Sequence, residues 1–176
     1  MRKLNFFLLL FVAGLLASGC HREPTPATPG TEPQTPDGAL PKLRTIKLWL
    51  GAEELTAELA ATPEQLRVGM MFRTNLEEDE GMLFLLGQPT QPSFWMKDTP
   101  LALSAAFLDP NGNILEFHDF QPRDTNPVVA AARNVQYVLE TRSGWFERHH
   151  IAKESLVRAK EGSLPTVFAA RRTAVK

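Results

Sequence analysis

The sequence predicts a mainly β (α+β) fold: a compact antiparallel sheet curled into a barrel-like form, with two short helices. Three observations carry the prediction. Short apolar or alternating runs recur between turn-forming residues. Only two segments carry helix-start signals, and no internal repeat points to a solenoid.

Taken in order, Thr45-Ile46-Lys47-Leu48-Trp49-Leu50 alternates, placing Ile46, Leu48 and Leu50 on one face of a half-buried strand. Gly51 to Glu54 turns it, and Leu55 to Leu59 alternates again, so the two form a hairpin. Thr62-Pro63-Glu64-Gln65 starts a helix, with Thr at the cap, Pro in the first turn and Gln closing a capping box. It runs to about Met71. Gly81 to Leu86 is a continuous apolar run, the signature of a strand buried on both faces. After Gly87 and the Pro89–Pro92 break come strands at 93–97 and 103–108. The turn Asp109-Pro110-Asn111-Gly112-Asn113 returns the chain into a strand at 114–117. A Pro- and Ala-rich loop spans 121–133, and Val135 to Glu140 is a strand with Val135, Tyr137 and Leu139 on one face. Ser143 is expected to cap a helix through His149, and 155–158 and 167–170 read as strands.

The amino terminus is of another kind. Arg2 and Lys3 precede an apolar run from Phe6 to Leu16, too short for a bilayer span of about 20 residues but the right length for a secretory signal peptide. Leu16-Ala17-Ser18-Gly19-Cys20 resembles the lipobox of bacterial lipoproteins, with Ala17 where Leu is commonest. Cys20 is the only cysteine, so it has no disulfide partner in the chain, and lipidation is its expected fate. His21 follows where aspartate would signal inner-membrane retention, which favours the outer membrane facing the periplasm. From His21 to Lys42, prolines alternate with Thr, Ala, Gly and Glu, and few side chains are apolar. Such a segment favours extended geometry at about 3.1 Å per residue, a tether reaching up to ~70 Å. The expected organisation is therefore a leader over 1–19, a lipidated cysteine and disordered tether over 20–42, and one domain over 43–176.

Without Arg2 and Lys3 the chain carries 17 basic and 20 acidic residues, a formal charge of −3. No basic patch appears, so nucleic acid is not an expected partner. The expected partners are the membrane, through the N-terminal lipid, and an envelope glycan or protein, with the chain a monomer.

Residues 69–99 hold four of the five methionines, one of three tryptophans and the charged positions Arg73, Lys97 and Asp98 among apolar runs. With their flanks they form a pattern. Leu59-Ala60-Ala61-Thr62-Pro63-Glu64-Gln65 and Gly69-Met70-Met71-Phe72-Arg73 are followed by Glu80-Gly81-Met82-Leu83-Phe84 and Phe94-Trp95-Met96-Lys97-Asp98-Thr99. Tyr137-Val138-Leu139-Glu140 with Gly144-Trp145 completes it. In this order the motifs resemble the DUF192 family, which implies a compact β-rich barrel with small helices and no established activity. The chain has Asp98 where that family usually has Asn, and Ala102-Leu103-Ser104 where it usually has Pro-Leu-Asp.

Arg73, Lys97, Asp98 and Glu140 are embedded in apolar sequence, where a charge needs a partner. A buried guanidinium is expected to take Asp98 or Glu140 as a bidentate carboxylate. Two readings stay open. One is a structural ion pair that fixes strand register. The other is a polar pocket of Arg73, Trp95, Lys97, Asp98, Thr99 and Glu140, with the Trp95 indole as a stacking surface for a sugar or peptidoglycan fragment. Asp98 and Glu140 as an acid–base pair would make the domain a hydrolase, but no nucleophile elbow or HExxH helix accompanies them. Met70, Met71, Met82 and Met96 lack Met-x-Met spacing and read as core. His118, His149 and His150 are expected at the surface. No metal site, cofactor or catalytic residue is assigned.

Overall fold

The computed structural model describes residues 38–173, with side chains through Ala169. The expected leader at 1–19, the lipidated Cys20 and the tether through Asp37 lie outside the described residues. The fold is mainly β, as expected, with one large sheet and, among the described residues, three short helices.

β1 (Thr45–Leu50) and β2 (Glu53–Ala60) form the expected hairpin. Thr62 caps α1 (Pro63–Val68): its side chain accepts the Gln65 N–H, and the Gln65 side chain returns to the Thr62 N–H. α1 then changes the sheet. A helical crossover brings the next strand back in the same direction, so β3 (Glu80–Thr90) pairs parallel to β2. The sheet is therefore mixed, and the all-antiparallel expectation fails at this one pair. β4 (Ser93–Phe94), β5 (Leu103–Leu108), β6 (Ile114–Phe120), β7 (Val128–Val129) and β8 (Val135–Arg142) follow. α2 (Trp145–Arg148), β9 (Val157–Ala159), β10 (Gly162–Ser163) and α3 (Leu164–Thr173) complete the described residues. α2 is capped by Gly144 in the left-handed region rather than by Ser143. The segment 167–170, read as a strand, is helical because Leu164, Val167 and Phe168 fall on one stripe at spacings of three and four.

The main sheet runs β10-β9-β1-β2-β3-β8-β5-β6, and β4 pairs with β7 in a separate ribbon. The sheet curls until the Ile114 N–H reaches the Ser155 carbonyl at 3.0 Å and the Val157 N–H reaches that of Gly112 at 2.9 Å. It does not close. β10 has two residues and turns directly into α3, leaving no strand long enough to zip onto β6.

Both sheet faces are covered. One buries Leu48, Leu55, Leu83, Leu139 and Tyr137 against Trp145, Phe146 and α3. The other packs Met82, Phe84, Leu103, Phe107 and Val138 under α1 and the loops. Val135, expected beside Tyr137 and Leu139, falls in the second cluster; the pairing with β3 shifts register between Leu85 and Thr90. Met70, Met82 and Met96 belong to this cluster and Met71 to a smaller one, so all four pack in cores.

The domain also begins earlier than residue 43. Leu40 is 1% exposed and packs with Val68 and Met71. The Leu43 N–H donates to Glu58 at 2.6 Å, and Lys42 pairs with Glu80 at 2.7 Å. Residues 38–42, read as the end of a loose tether, are thus a strap laid over α1 and β2. Apolar Ala39 and Leu40 inside a proline-rich context are what the composition obscured.

Candidate functional site

A row of side chains crosses the second face of the sheet: Glu58 on β2, Met82 on β3, Glu140 on β8 and Ala105 on β5 are successive register partners. Neighbouring strands lie about 4.8 Å apart, so the Glu58 and Glu140 backbones are separated by roughly 10 Å, with Met82 between them. This row decides the fate of Arg73. Its Nη2 lies 2.9 Å from Glu58 Oε2 and 3.3 Å from the Pro41 carbonyl. The expected ion pair to Asp98 or Glu140 is not formed. Glu58 and the strap capture the guanidinium on the near side of Met82, and Arg73 is not among the residues lining the cavity described below.

That leaves Glu140 alone. It is 4% exposed, and among the described residues it has neither a hydrogen-bond partner nor a counter-ion. Burial pushes its pKa up to about 8, so the carboxyl keeps its proton at neutral pH. It lines a cavity of about 720 Å³ between the sheet, the end of α1 and the segment after β4. The walls are mostly apolar: Leu66 and Met70 from α1 and its exit, Phe84 from β3, Leu103 from β5, and Phe94 and Met96 after the Pro92 break. Phe94 stands edge-on to Phe84 at 5.2 Å and lies 5.6 Å from Phe107, which fixes the β4–β7 ribbon to the sheet.

Trp95, Lys97, Asp98 and Thr99 line the same cavity. Trp95 is 49% exposed, and Lys97 Nζ lies 5.7 Å from the centroid of its ring, a cation–π arrangement. Thr99 is buried; its hydroxyl donates to the Lys97 carbonyl at 3.3 Å and its N–H to that of Met96 at 3.1 Å. The turn is held from outside as well. The Phe72 N–H donates to the Asp98 carbonyl at 2.7 Å, and the Met96 N–H to that of Asp124 at 2.7 Å. Asp98 has φ 55, in the left-handed region that Asn and Asp tolerate best among residues with a Cβ. A backbone requirement therefore accounts for an Asn or Asp here. Ser104 is buried away from the cavity, where its Oγ accepts the Gly144 N–H at 2.8 Å and donates to Asp119. Ser104 does not line the cavity, so the acid that the family usually carries here is not missing from the cavity wall.

Of the six residues expected in one pocket, Trp95, Lys97, Asp98, Thr99 and Glu140 line this cavity and Arg73 does not; the apolar walls and the Glu58 partner were not expected. Only Glu58 left a signal, as an acid on the outward face of an alternating strand. His118 and His149, expected at the surface, are partly buried: His118 lies 4.9 Å from Phe107, and His149 stacks on Trp145 at 4.4 Å and pairs with Glu53 at 2.8 Å.

Two solved structures share the fold. A proposed transcription regulator from Sinorhizobium meliloti 1021 matches with a TM-score of 0.61 at 29% identity, over 65% of this chain and 92% of its own. A protein of unknown function from Novosphingobium aromaticivorans DSM 12444 matches with a TM-score of 0.61 at 27% identity, over 77% of this chain and 98% of its own. Both consist almost wholly of the matched region, so a chain of little more than this domain folds by itself. No curated protein matches the chain. The family model described as DUF192, Uncharacterized ACR, matches residues 46–159, spanning all but the edges of the domain, and the chain belongs to that family.

Proposed function

We propose that this is an envelope lipoprotein, anchored through Cys20 in the outer membrane facing the periplasm, whose domain is a non-catalytic binding module. The ligand, an envelope glycan or a segment of an envelope protein, enters the cavity beside Trp95 and reaches Glu140. The observation that carries the binding reading is the partnerless Glu140 carboxyl on the cavity wall. A polar group set in a mostly apolar cavity wall gives an entering ligand a hydrogen-bonding point that fixes its orientation. The half-exposed Trp95 indole at the mouth offers a face for stacking a sugar ring. The lipobox-like sequence before Cys20 supports the anchor.

Native mass spectrometry of the protein taken from an envelope extract tests the binding reading. A retained species that is lost in Trp95→Ala is the expected result. Equal retention by both proteins would remove the cavity as its seat. Cys20→Ala should move the protein from the membrane to the soluble fraction.

A second reading follows from Asp98 and Glu140 lining one cavity: an acid–base hydrolase, in which Glu140 holds its proton as a general acid must. Asp98→Ala would then keep the retained species bound but stop its conversion. A binding module converts nothing in either form.

A further inference from the structure

Resting on the binding reading, we infer that the part of the glycan or protein segment that enters the cavity is uncharged where it meets Glu140: an apolar stem ending in a hydrogen-bond-accepting oxygen, and not an amine or guanidinium. Glu140 has apolar neighbours on both sides, Met82 on β3 and Ala105 on β5, each with no exposed surface. The charged groups facing the cavity are Arg67 from α1 and Lys97 and Asp98 from the turn after β4, and all three are exposed. Arg67 is held by Glu64 through hydrogen bonds of 2.6 and 2.9 Å, and Lys97 and Asp98 offset each other, so the rim carries no net negative charge to draw a cation in. Inside, it would find one carboxyl and no second acid.

To hold a cation, Glu140 would have to ionise in apolar surroundings. Both charges would then lose their water, at a cost of several kcal/mol per ion that one ion pair seldom offsets. A protonated carboxyl avoids that cost. It offers one O–H donor and retains acceptor capacity, which suits an amide carbonyl, a hydroxyl or an ether. The raised pKa of Glu140 agrees with the geometry.

The test uses two probes with the same chain, neutral octanamide and cationic octylammonium, titrated into the domain from residue 38 with 13C-methyl methionine. The Met70 and Met96 methyls line the cavity and report occupancy, whereas Met82 lies behind it. Octanamide should shift both methyls near pH 6 and bind about tenfold or more weakly near pH 9.5, where Glu140 has lost its proton. Glu140→Gln keeps an N–H donor and should bind octanamide with no pH dependence; the probe comparison on the unaltered domain stands without this variant. Tighter binding of octylammonium, abolished in Glu140→Gln, would overturn the inference while leaving the binding reading intact. Should neither probe move the two methyls, the inference and the cavity reading fall together.

Discussion

Arg73 Nη2 and Glu58 Oε2 are 2.9 Å apart, and the same carboxylate oxygen accepts the Leu43 N–H at 2.6 Å. One acid thus ties the chain after α1 and the strap before β1 to strand β2. Both partners of the ion pair are mostly buried, so removing one strands the other.

Arg73→Ala should therefore destabilise the domain by about 1.5–3 kcal/mol, the range for hydrogen bonds to charged groups. That corresponds to a fall of roughly 5–10 °C in Tm for a domain of this size. Thermal denaturation followed by circular dichroism checks it. An unchanged Tm would mean that Glu58 is satisfied by the strap alone.

Glu140 makes stability depend on pH in an unusual direction. Its folded pKa is raised to about 8 from an ordinary value of 4.5, so between these pH values the folded state binds more protons than the unfolded state. Stability then falls as pH rises through that window, and the full penalty is present above pH 8. Glu140→Gln should remove this term, gaining on the order of a few kcal/mol over the parent near pH 9. Near pH 4 the difference should be small. Urea titrations of both proteins at the two pH values measure the crossover.

Leu40 anchors the strap against Val68 and Met71, and those two residues also line the cavity. Leu40→Ala should cost about 2–3 kcal/mol, near the low end for a buried leucine because the strap end can relax. The Leu43 amide should lose hydrogen-exchange protection along with it. Normal protection in the variant would show that Glu58 holds the strap without Leu40.

Gly69 and Gly51 both have positive φ, +50° and +65°, but differ in what surrounds them. A Cβ at Gly69 would sit 2.9 Å from two carbons of the Phe84 ring, whereas at Gly51 it meets nothing within 4 Å. Gly51→Ala should cost about 1 kcal/mol from conformation alone. Gly69→Ala should cost roughly 2–3 kcal/mol, because conformation and contact act together. Equal losses in chemical denaturation would mean that the Phe84 ring moves aside freely.

How much of this was legible beforehand depends on the range of each interaction. The β1–β2 hairpin, the Thr62 cap and the strand from Val135 are written in neighbouring residues, because alternation and capping involve groups two to four positions apart. Residues 167–170 misled because a short apolar run fits either period, and only packing of Leu164 and Phe168 against the sheet makes it helical.

The mainly β class, the family motifs and the charged cluster at 97–98 beside Trp95 are legible in the residues alone, whereas 93–97 reads as a strand and turns only in the folded chain. Tertiary structure alone decided which acid Arg73 meets. The parallel pairing of β2 with β3 sets Glu58, Met82 and Glu140 side by side. A buried methionine then stands between the guanidinium and the second acid, leaving Glu140 to face the cavity. Register between strands far apart in the chain is fixed by the packing of the whole sheet, and no local pattern of residues encodes it.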